Sequence, residues 1–166
     1  MKEQVTMSLD GFSTQPLVKE LRAALVGGRI DKITQPHKAS VFLSIRQPGR
    51  NHLLHIAASP QASAVFLAEK QPENPAEPPL FCMVLRKQLE GSRQHALDRL
   101  IILDFDALAA GGKIVTKSLI IELIGKYSNI ILVQDGIVID ALRKVGSANS
   151  RTRLILPARE YAPPPA

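Results

Sequence analysis

The sequence predicts an α+β fold, mainly antiparallel and flanked by two or more helices, and three observations carry that expectation. First, the run from Leu119 to Val145 reads as three short apolar strands, Leu119–Ile124, Ile130–Val133 and Ile137–Leu142. Ile and Val dominate it, and β-branched side chains suit a pleated, half-buried surface. Second, its later pair is joined across Gln134-Asp135-Gly136, and Asp-Gly between apolar runs is the strongest short hairpin signal. Third, the stretches after Pro16 and after Leu80 repeat apolar residues at helical instead of strand spacing. The three strands barely alternate, so both faces are expected to be covered, with this meander in the middle of the sheet.

Taken in order, Leu9-Asp10-Gly11-Phe12 reads as a turn, with Ser13 or Thr14 as N-cap and Pro16 in the first helical turn. Leu17, Val18, Leu21 and Leu25 then form an apolar stripe opposite Lys19, Glu20 and Arg22. Gly27-Gly28 stops this helix. Strands are expected at Arg29–Gln35, Val41–Arg46 and His52–Ala57, the last two turning at Pro48-Gly49. Val65–Ala68 reads as a short strand or a turn of helix. Gln71–Pro79 is a proline-broken loop, and a second helix follows from Leu80 to Glu90, with Phe81, Cys82, Leu85 and Leu89 inward and Arg86 and Lys87 outward. Leu97–Phe105 reads as a single strand, and Ala109–Lys113 as a Gly-rich turn into the meander. Apolar periodicity fades after Val145, where Arg151, Arg153 and Arg159 appear. The expected domain spans residues 1–160, and 161–166, with Pro163-Pro164-Pro165, reads as the start of a linker to further domains.

Composition narrows the function. At 166 residues and 18.1 kDa the chain is one domain with room for a real core. A net charge of +6 and a pI of about 9.7 favour an anionic partner such as nucleic acid. The single cysteine, Cys82, lies in an apolar stretch and reads as a small core hydrophobe. With no disulfide framework, no apolar leader and no stretch of membrane-spanning length, a cytoplasmic protein with no membrane partner is expected.

Catalytic signatures are missing. The histidines 37, 52, 55 and 95 are scattered, and His52 and His55 on one strand would leave opposite faces, which disfavours a shared metal. No nucleophile elbow, Walker loop or cysteine pair occurs. The expectation is therefore no catalytic residue, metal, cofactor or small-molecule substrate. Glu122 sits alone among apolar strand residues, so it must be exposed, hydrogen-bonded or paired with a base. Asp98-Arg99, placed at the head of its strand, has two readings. One is a solvated strand end; the other is an arginine poised for phosphate or ribose, with Asp98 accepting from a hydroxyl or amine. Aromatic residues make up only 4%, so base stacking is not the expected mode, and any RNA is gripped through its backbone by Arg and Lys.

Several segments together resemble the N-terminal domain of the NFACT family: MSLDGF (Met7–Phe12), GGRIDKITQP (Gly27–Pro36), PPLFCMVLRKQLEG (Pro78–Gly91), LDRLI (Leu97–Ile101), IELIGKYSNIIL (Ile121–Leu132) and RLILPAREYAPPP (Arg153–Pro165). They occur in family order over nearly the whole chain. The resemblance implies a β-sandwich like the N-terminal domain of formamidopyrimidine-type DNA glycosylases. It also implies a role in ribosome-associated quality control, in which a full-length protein binds obstructed large ribosomal subunits and recruits alanyl-tRNA for C-terminal tailing without mRNA. Carried over by motif, the tRNA-binding residues would be Asp10, Asp98 and Arg99. Candidate phosphate contacts are Arg86, Lys87, Lys126, Arg151 and Arg153. Between Gly91 and Asp98 only SRQHAL stands where the family has a longer segment with an extra short strand and a glutamine. Ala158 replaces a glycine, and a family arginine is replaced around Ala64-Val65-Phe66. Two other readings stand beside this one: a fibronectin-binding adhesin module, as an older family name suggests, and a glycosylase relative, which the absent N-terminal proline disfavours.

Overall fold

A computed structural model describes residues 11–98, 101–146 and 153–164. Among them, two helices, α1 (Gly11–Leu25) and α2 (Leu80–Leu89), accompany β1 (Arg29–His37), β2 (Ser40–Gln47), β3 (Arg50–Ala58), β4 (Ser63–Ala68), β5 (Arg93–Asp98), β6 (Ile102–Leu108), β7 (Ile114–Glu122), β8 (Asn129–Gln134) and β9 (Ile137–Ala141). These strands form one antiparallel sheet in the order β4-β3-β2-β1-β5-β6-β7-β8-β9. The fold is α+β, as expected from the sequence.

The sheet has two halves joined at a seam. The β1–β5 ladder proper holds one pair, Arg29 opposite Arg93, but flanking backbone bonds extend it. Gly27 N–H donates to Gln94 O at 2.8 Å, Gln94 N–H to Gly28 O at 2.7 Å, and Ile30 N–H to Ser92 O at 2.8 Å. Gly28 is required here by space: a Cβ would lie 2.5 Å from Ile45 Cγ2 and 3.1 Å from the Arg46 carbonyl. So Gly27-Gly28 ends α1, as read, and also lets helix and sheet approach closely.

One apolar cluster joins both halves to both helices: Leu17, Leu21 and Leu25 of α1 and Phe81, Leu85 and Leu89 of α2 pack with Ile33, Leu43, Ile56, Phe105, Leu119 and Leu132. Cys82 is fully buried there, and burial pushes its thiol pKa up. A smaller cluster, Ile120, Ile131, Val133, Val138, Ala141 and Ile155, lies on the opposite face of β7–β9, since alternate residues of a strand face opposite ways. The meander is thus covered on both faces, as its unbroken apolar runs imply. It does not lie mid-sheet, however; it forms one end, with β9 outermost. The edge is dressed by the C-terminal segment, where Val138 exchanges backbone bonds with Arg159 and Ala158 and Tyr161 N–H donates to Gly136 O. Packing therefore continues through Tyr161. The β8–β9 hairpin turns on Asp135 (φ 53°) and Gly136 (φ 76°), the two left-handed residues of a type I′ turn.

Two further expectations change. Pro16 lies inside α1 instead of in its first turn, because the helix begins at Gly11; its missing N–H leaves a first-turn carbonyl without an intrahelical partner. The single strand expected at Leu97–Phe105 is the β5–β6 hairpin, with Ile101 at φ 54° in its turn. SRQHAL supplies most of β5, and Gln94 within it is buried.

Candidate nucleic-acid interface

Splitting that strand moves Asp98 from the head of a strand to the tail of β5, opposite Ile102 and next to the hairpin turn. Arg99, Asp10 and Arg151 lie outside the described residues. What holds the Asp98 turn is clear on both sides. From α1, Arg22 donates through Nε (3.1 Å) and Nη2 (2.7 Å) to the Leu97 carbonyl. From β7, Ile121 N–H donates to the Ile101 carbonyl at 3.0 Å. A guanidinium that forks onto one carbonyl fixes both position and orientation.

Ile121 is followed by Glu122, so the turn and this carboxylate share one end of the sheet. Glu122 is 5% exposed. Arg153 Nη1 donates to its Oε1 at 2.9 Å and Nη2 to its Oε2, while the Tyr161 hydroxyl donates to Oε2 at 2.5 Å. The Arg153 guanidinium also lies 5.5 Å from the Tyr161 ring and bonds the Ala162 carbonyl through Nε at 2.7 Å. Burial alone would lower the Arg153 pKa; the bond to Glu122 reverses this and holds it above its ordinary value. Burial, then the same carboxylate, holds the Tyr161 phenol well above its ordinary value. Of the alternatives the sequence leaves for Glu122, two are realised together: it is paired with a base, Arg153, and hydrogen-bonded by Tyr161.

Just beyond, Gly125–Tyr127 makes a 3-10 turn with Lys126 and Tyr127 exposed, the Lys126 ammonium 5.2 Å from the Tyr127 ring centre. Ser128 Oγ accepts from Ile124 N–H at 2.9 Å and meets Ser63 Oγ at 2.6 Å, tying this turn to β4. Arg143 crosses the same region, donating through Nη2 to Ala58 O at 3.0 Å, with its backbone held by Asn129. The end of the β5–β6 hairpin and the β7–β8 connection that carries Lys126 therefore lie at the same end of the sheet, with β6 between β5 and β7.

Arg86 and Lys87 stand elsewhere. Lys87 is exposed on α2, while Arg86 Nε donates to Ile33 O at 2.8 Å. The last turn of α2 also reaches Lys117, whose Nζ donates to Gln88 Oε1 at 2.5 Å. Lys117 is five residues back along β7 from Glu122, about 17 Å at strand rise. These two cations and the Asp98 turn thus belong to different regions of the surface. Arg22, Arg143 and Tyr161 were not among the residues singled out from sequence. Nothing local marks them, since each acts on a partner distant in the chain.

Among the described residues no three His, Cys, Asp or Glu side chains gather as a metal site, and no helix is long and apolar enough to cross a membrane.

Comparison with known proteins matches this arrangement to one family. A family model described as NFACT N-terminal and middle domains matches residues 10–166. The chain is 38% identical over 167 residues to the Rqc2 homolog RqcH of Bacillus subtilis (strain 168), covering 96% of this chain and 29% of that protein. It therefore spans about three tenths of the length of that curated relative. Among solved structures, the N-terminal domain of the fibronectin-binding protein PavA from Streptococcus pneumoniae superposes with a TM-score of 0.89 at 36% identity, covering 96% of this chain and 63% of that one. The N-terminal part of the fibronectin/fibrinogen-binding protein from Streptococcus suis gives 0.89 at 37% identity, with 96% and 62% covered.

Proposed function

The chain belongs to the NFACT family, and on that footing we propose that it is the tRNA-handling module of a cytoplasmic ribosome-associated quality-control factor. In the full-length protein it grips tRNA on an obstructed large ribosomal subunit, while alanyl-tRNA is recruited for tailing without mRNA. Asp98 and Arg99 make the specific contacts, joined by Asp10. Lys126 supplies phosphate contact nearby, and Lys87, Arg86 and Arg151 supply it from elsewhere on the surface. Arg153 serves through its hold on Glu122. The module makes and breaks no covalent bond, so it needs no metal, cofactor or small-molecule substrate.

One observation carries this reading: the Asp98 turn is clamped from α1 by Arg22 and from β7 by Ile121, with Lys126 following four residues after Glu122 in the same region. A solvated strand end needs no such clamp. A site that must present an acid and a base to RNA in fixed geometry does, because positioning precedes recognition.

The test is sedimentation of the full-length protein from lysate. It is expected to travel with free large subunits. Recovery only in the ribosome-free fraction, with the intact protein displayed on unpermeabilised cells, would instead support the fibronectin-binding reading that the names of PavA and its Streptococcus suis counterpart suggest.

A further inference from the structure

The register across the middle of the sheet brings three arginines into one line. Arg46 of β2 stands opposite Arg29 of β1, and Arg29 stands opposite Arg93 of β5. Directly opposed residues of an antiparallel pair share a face, with Cα atoms about 5 Å apart, so the three stems leave that face within about 11 Å. All three are exposed, while the next pair along, Ile30 and Ile45, is buried. The row therefore lies on the side turned away from the core. Lys32, exposed and opposite Ser44, adds a cation one step further on the same face.

Two acids attend the row, one towards each end. Asp31 accepts from Arg46 Nη2 at 2.8 Å in an exposed pair, which contributes little. Asp106 stands opposite Arg93 and accepts from Thr116 Oγ1 at 3.2 Å. Between them Arg29, the middle member, donates Nη1 to the neutral Gly91 carbonyl at 2.8 Å. Like charges directly opposed destabilise a sheet, and an anion laid along the row relieves that repulsion. A line of cations at about 5 Å spacing matches an extended polyanion better than one isolated carboxylate.

We propose that the Arg46–Arg29–Arg93 row is a second RNA contact, holding a phosphodiester backbone without reading bases. It is separate from the Asp98 turn: Arg93 opens β5 and Asp98 closes it, about 17 Å apart at strand rise. The proposal rests on the RNA-binding reading for its ligand class but not on the role of Asp98 and Arg99.

The experiment is a salt titration of full-length protein binding to a single-stranded uridine 20-mer and, in parallel, to tRNA. Replacing two row members with Arg29→Gln and Arg93→Gln is expected to lower the log–log salt slope for the 20-mer by about 1.4, two phosphates at about 0.7 each. Arg29→Lys with Arg93→Lys keeps the charge and is expected to keep the slope, and single Arg93→Gln to lower it by about half as much. An unchanged slope in the Gln variants, or no binding of either RNA by the unaltered protein, overturns the row. If the unaltered protein shows no preference for tRNA over the 20-mer, the Asp98–Arg99 reading fails, while a slope that still falls upholds the row.

Discussion

His55 lies between two phenylalanines on β3's neighbouring strands, stacked on Phe42 at 4.1 Å between ring centres and edge-on to Phe66 at 4.8 Å. Its Nε2 is sealed from solvent without a hydrogen-bond partner among the described residues. Burial first, then the nearby His37 charge, lowers its pKa. In the unfolded chain the imidazole takes its proton near pH 6.5, and the folded state resists that proton. Its contribution to stability is therefore complete above about pH 6.5 and is lost as the pH falls from there towards the lower folded pKa. Thermal melts are expected to show a larger loss between pH 7.5 and 5.5 for the unaltered protein than for His55→Phe; equal losses would contradict this. From the sequence, His55 shows only as one of four scattered histidines, on a strand face opposite that of His52. The flanking rings come from β2 and β4, at positions set by register, which a single strand's pattern does not reveal. Glu122 was more legible: the cost of a bare carboxylate in an apolar strand demands a partner, though not which one.

At the scale of elements, the C-terminal segment acts as a strap across the meander. Ile155 enters the smaller apolar cluster, Val145 pairs with Ile155, and Ile137 pairs with Glu160. The Arg153–Glu122–Tyr161 contacts pin its two ends to β7. Removing one partner of a buried pair leaves the other charge uncompensated, so Arg153→Ala is expected to cost about 3–5 kcal/mol and to lower the melting temperature by roughly 10 °C. A loss within about 0.5 kcal/mol, the range of an ordinary surface change, would show that the strap is held by its backbone alone. Most elements could be read from periodicity and turn chemistry: both helices, β1 to β3 and the Asp135-Gly136 hairpin. The β5–β6 hairpin could not. No Gly, Pro or Asn marks the turn between Asp98 and Ile102, and a β-branched Ile101 takes a positive φ that local preference disfavours. Pairing across the sheet overrides the local signal there. Reading one strand there also placed Asp98 at a strand head, whereas it closes β5.

At the scale of the whole molecule, the two half-sheets, the β1–β5 seam and one shared core place the clamped turn at one end of β5 and the arginine row at the other. Length and apolar patterning made an α+β domain readable, and the ordered motifs made the family readable. The strand order was not, since the seam joins β1 to β5 across β2, β3, β4 and α2. The central claim, that Asp98 and Arg99 engage tRNA instead of holding the fold, comes down to one comparison. Full-length protein carrying Asp98→Ala and Arg99→Ala is to be measured for tRNA affinity and for melting temperature side by side. The account predicts at least a tenfold weaker tRNA complex, about 1.4 kcal/mol, with the melting temperature nearly unchanged. Undiminished affinity, or a weakening matched by a large loss of stability, would contradict it.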